Sequence, residues 1–387
     1  MHNFEFHNPV KVLFGKNQIE NIKHLIPQNK NILLTYGMNS IKANGIYQRV
    51  INNLPQVNNL VEFGGIGANP EYNILLEAVN LCKHEKVDFI LAIGGGSVID
   101  GTKFISASVN FPILDKWQIL KGQSSKICNS INYGVIQTLP ATGSEMNEYA
   151  VISRKETYEK LAFGHNELFP KFAILEPEIT YSLPNHQLIN GIIDPFIHVT
   201  EQYLTTNINT LLQDGYSETI MRTLINLAPK LFSKKHDYDV RANWMWCANN
   251  ALNNYIGVGV DEDWATHAIG HELTALYSLD HAQTLAIIAP QLWRYKKEQK
   301  RQKLIQFAKN IWNINDKNCN IAIEKAIFCT EQFFNNIGMK TKLSDYNIQA
   351  DAAAIANNVI KNSKTGSIGE HNDIRFNDIV NIIKMSN

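Results

Sequence analysis

The chain has 387 residues, enough for two domains on length alone, and its 36 Lys plus Arg balance its 36 Asp plus Glu. That balance leaves no bulk basic field to attract nucleic acid, and no uninterrupted apolar run approaches the ~20 residues of a membrane span. The polar N-terminus lacks the apolar core of a signal peptide, and the five cysteines form no C-x-x-C, which together point to a reduced, cytoplasmic protein.

Strand-like runs alternate with helical stretches through the first half, at residues 31–36, 60–63, 89–93, 133–138 and 172–175, and predict an α/β domain. After the first run comes T-Y-G-M-N-S-I-K, residues 35–42. No acid stands between Asn31 and Lys42 to accept from a ribose 2′-OH and repel a 2′-phosphate. Gly37, Asn39 and Ser40 are placed to donate to that phosphate and Lys42 adds charge, so NADP(H) is expected; an ordinary polar turn is the alternative. Gly64, Gly65 and Asn69, before Pro70, make a second turn.

The segment F-I-L-A-I-G-G-G-S-V-I-D, residues 89–100, reads as a strand buried on both faces feeding a helix over 98–107. A glycine-rich strand-to-helix turn exposes backbone N–H groups, and the positive end of the helix dipole favours phosphate oxygens. Gly94, Gly95, Gly96 and Ser97 are therefore candidates for a pyrophosphate cradle, although Ile99 replaces the third glycine of G-x-G-x-x-G and the Lys of a Walker loop is missing. A tight structural turn is the competing reading. The next loop, Q-T-L-P-A-T-G-S-E-M-N at 137–147, offers Thr138, Thr142, Ser144 and Asn147 as neutral partners for a nicotinamide ribose and carboxamide.

Residues 178–185 form the natural junction, and beyond Pro184 the alternation ends. Stretches 188–203, 211–231, 240–255 and 301–311 carry apolar residues at helical spacing, which predicts an all-helical second domain and a division into 1–180 and 181–387. The basic stretch 294–303, interrupted by Glu298 and Gln299, reads as a solvated helix face.

Asp194 and His198 in D-P-F-I-H lie four apart, on one face of a helix, and His267 and His271 repeat the spacing before His281. Imidazoles with a carboxylate suit Fe(II) or Zn(II). The spacing alone equally allows a capping Asp and ordinary core or surface histidines. Ala268 after His267 excludes the H-E-x-x-H of a zinc peptidase.

These patches, in this order, resemble the iron-containing (group III) alcohol dehydrogenases over essentially the whole chain, most closely the NADPH-dependent aldehyde reductases of the butanol dehydrogenase-like branch. The likeness rests on N-F-E-F-H-N-P-V-K-V-L-F-G-K-N, G-G-G-S-V-I-D-G-T-K, L-P-A-T-G-S-E, L-P-N-H-Q-L-I-N-G-I-I-D-P-F-I-H-V-T-E-Q and S-L-D-H-A-Q-T-L-A-I. It implies an α/β N-terminal dinucleotide-binding domain and an all-α C-terminal domain of dehydroquinate synthase-like architecture, with the active site in the cleft between them, in a homodimer. It implies Asp194, His198, His267 and His281 as metal ligands, moves His271 to a place near the substrate, and matches Lys160 to a lysine that approaches the ribose. Met38 and Asn39 depart from the glycines common after the first glycine of such reductases.

The expected reaction is hydride transfer between NADP(H) and a short-chain aldehyde or alcohol at one Fe(II) or Zn(II). His271 is the candidate proton relay, since an ordinary imidazole titrates near neutrality; a packed helix residue is the alternative. Asp100 fixes the nicotinamide end or nearby water. Trp264, Tyr149, Leu276 and Phe163 are candidates for apolar substrate walls, or core. The rival readings are a glycerol dehydrogenase-like polyol oxidoreductase, a metal-dependent hydrolase and a non-enzymatic relative.

Overall fold

The computed structural model describes all 387 residues. Its strands are β1 (Lys11–Phe14), β2 (Asn31–Tyr36), β3 (Asn59–Phe63), β4 (Phe89–Gly94), β5 (Asn132–Gln137), β6 (Tyr149–Arg154), β7 (Glu159–Gly164) and β8 (Phe172–Leu175). Helices of the first half are α1 (Ile22–Leu25), α2 (Ser40–Ala43), α3 (Ile46–Asn53), α4 (Tyr72–His84) and α5 (Gly96–Val109). Then follow α6 (Asn185–Tyr203), α7 (Leu211–Ser233), α8 (Tyr238–Ala251), α9 (Ala265–Tyr277), α10 (His281–Tyr295), α11 (Arg301–Trp312), α12 (Cys319–Asn336), α13 (Ala352–Asn362) and α14 (Phe376–Met385).

Packing divides the chain into two units, His7–Pro184 with Lys234–Asn249, and Met1–Phe6 with Asn185–Ser233 and Asn250–Asn387. The division differs from the expected 1–180 and 181–387 because two segments change sides. Residues 234–249 join the α/β unit, where Arg241 Nη1 donates to Thr180 O at 3.1 Å and Asn249 Nδ2 to Glu145 Oε1 at 2.8 Å. Residues 1–6 join the helical unit: the Met1 ammonium donates to Ile208 O at 2.8 Å and Phe6 meets Tyr255 edge-on at 5.5 Å.

In the α/β unit the strands form a six-stranded sheet of order β1-β8-β5-β4-β2-β3, parallel throughout. Successive residues of a strand face opposite sides. Ile32, Leu34, Phe89, Leu91 and Ile93 pack with Ile22, Ile46 and Val50 of α1 and α3. Leu33, Ile90 and Ala92 pack on the other side with Leu75 and Val79 of α4 and Ile99 and Phe104 of α5. Helices on both faces explain why these strands read as unbroken apolar runs, each fully buried Leu or Ile contributing about 1.5–3 kcal/mol.

The chain leaves β2 toward β3 but leaves β4 toward β5, so the topological switch lies between β2 and β4, where Tyr36 is paired with Ile93. Open α/β sheets bind ligands at the carboxyl ends of the strands at such a point. Gly37 and the Gly94 turn both fall there.

The antiparallel β6–β7 hairpin was not expected from the sequence. Its turn, Lys155–Thr157, has no glycine, and Tyr158 takes the left-handed conformation at φ 53°.

In the helical unit no strand follows; Ile368 and Ile374 form an isolated bridge. No helix is long and apolar enough to cross a membrane. The 294–303 stretch is solvated only in part: Glu298 and Gln299 are exposed, but two of its lysines are not. Lys300 and Lys303 are each only 2% exposed. Lys300 Nζ lies 2.8 Å from Asp263 and 2.6 Å from Glu370, and Lys303 Nζ 2.6 Å from Asp214. Burial of these ammonium groups is compensated by ion pairing.

Candidate metal centre and dinucleotide site

Three helices of the helical unit supply the metal candidates. On α6, Asp194 and His198 share one face. On α9, His267 stands in the first turn. His281 is the first residue of α10, where Asp280 and Gln283 form a capping box that fixes the entry of the chain. Gly270 lets α9 approach α10: a Cβ there would sit 2.8 Å from Thr284 Oγ1.

The three imidazole Nε2 atoms converge on Asp194 Oδ1, His198 at 3.4 Å, His281 at 3.7 Å and His267 at 3.9 Å. Ligand atoms held ~2.0–2.2 Å from one ion in a tetrahedral cage stand about 3.3–3.6 Å apart, so the cluster has the size of a single-ion site. Asp194, His267 and His281 offer ligand atoms all within 4.8 Å of one another. His198 joins by stacking on His267, ring centroids 4.8 Å apart and planes 8° from parallel. His267 Nε2 is buried without a hydrogen-bond partner in the protein, as a metal-directed nitrogen requires.

The surroundings treat the histidines differently. Burial pulls His198 down to about 4, with Asp194 only partly opposing. His267 is also penalised by burial, but the Glu201 and Asp194 carboxylates outweigh it and hold the imidazole up to about 9. Side-chain exposure rises from 5% at Asp194 and His198 to 24% at His281, so the cage opens on that side. His271 lies there, its ring 5.3 Å from His281 and 6.2 Å from His267. Trp264 covers the cage from elsewhere, 5.3 Å from the His267 ring.

In the α/β unit, Gly95 precedes the fourteen-residue α5 as an N-cap with no side-chain cap bond. First-turn N–H groups have no intrahelical acceptor, which leaves this end suited to phosphate. The glycines are enforced by close packing, since a Cβ at Gly94 would meet Val98 Cγ2, and one at Gly96 Thr142 Cγ2, at 2.4 Å. Thr138 N donates to Gly94 O at 3.0 Å, and Ser144 N to Thr142 Oγ1 at 3.2 Å, so the 137–147 loop abuts the glycine turn. Gly65 N donates to Gly37 O at 2.7 Å, bringing the turns after β2 and β3 together. Exposed Asn39 stands in the N-cap position of α2 without a side-chain cap bond, and exposed Ser40 begins the helix. Lys160 Nζ donates to Asn69 Oδ1 at 2.8 Å, joining two further candidates. Phe163, edge-on to Phe104 at 6.3 Å, belongs to the core.

The family profile described as iron-containing alcohol dehydrogenase matches residues 9–177, and the Fe-containing alcohol dehydrogenase C-terminal profile matches residues 188–387. The chain belongs to the iron-containing alcohol dehydrogenase family. It is 46% identical to the NADPH-dependent aldehyde reductase YqhD of Escherichia coli, over 97% of each chain. It is 37% identical to the NADH-dependent butanol dehydrogenase A of Clostridium acetobutylicum, over the full length of both. The crystal structure of E. coli YqhD superposes with a TM-score of 0.97 at 44% identity, covering 100% of this chain and 99% of that one.

Three residues that the sequence reading passed over organise these candidate sites. Glu201 follows His198 by three positions, so Asp194, His198 and Glu201 form a continuous i, i+4, i+7 stripe on α6; that spacing was the available signal. One Glu201 oxygen accepts from His267 Nδ1, which turns Nε2 toward Asp194 as the nitrogen that would ligate once its proton is displaced.

Lys103, fully buried on α5, donates to Ser144 Oγ at 2.8 Å, Asn147 Oδ1 at 3.0 Å and Tyr149 O at 2.6 Å. Ser144 Oγ in turn donates to Asp100 Oδ1 at 2.6 Å, and Val151 N to Asp100 Oδ2 at 2.9 Å. Ser144 and Asn147 are thus buried in a protein network. Burial raises Asp100, against Lys103, Ser144 and Val151.

Glu62, on β3, is the acid missing from the 31–42 segment. It accepts from Lys42 Nζ at 3.0 Å, from Tyr36 Oη at 2.8 Å and from Tyr47 Oη. Only strand pairing, which a linear reading of residues 31–42 does not include, brings it there.

Proposed function

We propose that this member of the family is a metal-dependent alcohol dehydrogenase working as an NADPH-dependent reductase of short-chain aldehydes. The convergence of three imidazole Nε2 atoms on Asp194 Oδ1 carries the reading, supported by 46% identity to an aldehyde reductase.

Asp194, His198, His267 and His281 would hold one Fe(II) or Zn(II), and the open side near His281 admits substrate. The ion supplies Lewis acidity toward a carbonyl oxygen. Bound NADPH supplies hydride. The uncapped α5 N-terminus at Gly94–Ser97 holds the pyrophosphate, with Gly37, Asn39 and Ser40 toward the adenosine ribose. Thr138 and Thr142 face the nicotinamide end, and Asn69 with Lys160 faces its ribose. Asp100 positions that end through Ser144, which Lys103 ties in turn to Asn147. His271, beside His281, passes a proton to the alcohol oxygen.

In the same reading the enzyme is a cytoplasmic homodimer, its five cysteines all free thiols as a reducing compartment keeps them. The test compares butanal reduction with NADPH, glycerol oxidation with NAD+ or NADP+, and ester hydrolysis without a dinucleotide. Preferential butanal reduction supports the proposal. Preferential glycerol oxidation, or hydrolysis alone, overturns it.

A further inference from the structure

Relatives named for NADPH and for NADH match this chain over nearly its full length at 46% and 37% identity, so membership of the family leaves cofactor preference to local residues. The sheet determines where to find them. With the pyrophosphate at Gly94–Ser97 and the nicotinamide toward the loop after β5, the adenosine ribose falls on the other side of the switch point, over the ends of β2 and β3.

A charged cluster stands there. Lys42 extends from α2 between two aromatic faces, its Nζ 5.0 Å from the Tyr36 ring centroid and 4.8 Å from that of Tyr47. It reaches Glu62 at 3.0 Å, with 43% of the Lys42 side chain and 32% of the Glu62 side chain exposed. Burial works against the Glu62 charge, but hydrogen bonds from Tyr47, Lys42 and Tyr36 outweigh it and hold the carboxyl below its usual range. Glu62 is therefore ionised at neutral pH, and the pair carries no net charge toward an approaching ligand.

We propose that Glu62 is a specificity-determining residue that limits preference for NADP(H): it neutralises Lys42 and places a negative charge beside the site of the 2′-phosphate. This rests on the dinucleotide reading above. A 2′-phosphate needs Lys42 as a cation, and to engage it must displace or tolerate the carboxylate; a 2′-hydroxyl carries no charge and is far less affected. Removing the carboxylate charge while retaining its shape turns a neutral pair into a net cation, which acts selectively on the phosphorylated cofactor. The two tyrosine ring faces remain beside the Lys42 ammonium in either case, because their contact with Nζ does not pass through Glu62.

Calorimetric titration of the full-length protein with NADP+, NAD+ and 2′-AMP, for wild type, Glu62→Gln, Glu62→Ala, Lys42→Met and the Lys42→Met/Glu62→Gln double variant, tests this without relying on turnover. Glu62→Gln should tighten NADP+ and 2′-AMP about tenfold at low salt, an effect that shrinks as salt rises, and leave NAD+ within about twofold. Glu62→Ala should act in the same direction, and the double variant should bind NADP+ more tightly than Lys42→Met, which keeps the uncompensated carboxylate, but less tightly than Glu62→Gln. An unchanged NADP+ to NAD+ ratio, or weaker NADP+ binding, in both Glu62 variants overturns the role of Glu62 while leaving the reductase reading intact. Failure of the wild type to bind any dinucleotide overturns both.

Discussion

Glu201 accepts from His267 Nδ1 through one carboxylate oxygen and from the Thr266 backbone N–H, at 2.6 Å, through the other. Trp264, in the N-cap position of α9, has no side-chain cap bond. Glu201 of α6 therefore caps α9 from outside and complements its dipole while fixing the tautomer of the ligand. Orientation of the metal candidate and termination of its helix depend on one carboxylate.

Glu201→Gln retains one acceptor oxygen and cannot serve both donors. Metal affinity should fall roughly 10–100-fold, as loss of such outer partners typically causes. Competition against a coloured chelator measures it, and unchanged affinity would remove Glu201 from the site.

Gly270→Val should force α9 away from α10, because its first side-chain carbon already meets Thr284 Oγ1. About 1–3 kcal/mol of stability should be lost. Metal content per chain should fall with it, since His267 and His281 lie on the separated helices. Denaturant unfolding and elemental analysis read the two effects.

Asp280→Ala removes the capping box of α10, and Asn318→Ala removes the cap of α12, where Asn318 accepts from Asn320 N and Ile321 N. Each should cost about 1 kcal/mol. Only Asp280→Ala should also weaken metal binding, because only that helix begins at a ligand. Equal metal affinities in the two variants would show that the cap does not position His281.

Lys103 gives the α/β unit a pH signature. Burial brings its ammonium down to about 8, against the pull of Asp100, Glu148 and Glu145, while an unfolded lysine stays near 10.4. Between these values the unfolded chain binds more protons, so stability rises with pH across the window. Below it the buried charge costs about 3 kcal/mol. Lys103→Met should lose this rise between about pH 8 and 10, as followed by urea unfolding; a variant retaining the wild-type slope would contradict the assignment.

The strands of the main sheet were legible where both faces are covered, because 31–36 and 89–93 then become continuous apolar runs with sharp ends. β1 and the β6–β7 hairpin were not, since β1 is an edge strand with no fully buried residue, unlike the equally short but buried β8, and a turn through Tyr158 carries no glycine signal. Helix α6 was readable through Pro195 because its apolar spacing continues on both sides. The metal candidates were legible as spacing on α6 and α9 but not as a cage, which depends on Gly270 and on the capping box before His281. Glu62, Lys103 and the buried Lys300 and Lys303 eluded the linear reading for one physical reason: their partners are distant in sequence, and a charge shows its role only once its counter-charge is located.

The most direct test of the account is butanal-dependent NADPH oxidation by protein stripped of metal and then titrated with Fe(II) or Zn(II), beside His267→Ala. The account predicts turnover that returns and saturates near one ion per chain, favours NADPH over NADH, and is absent from the variant. Turnover by the stripped protein that added metal does not change, or a His267→Ala enzyme as active as wild type, would contradict it.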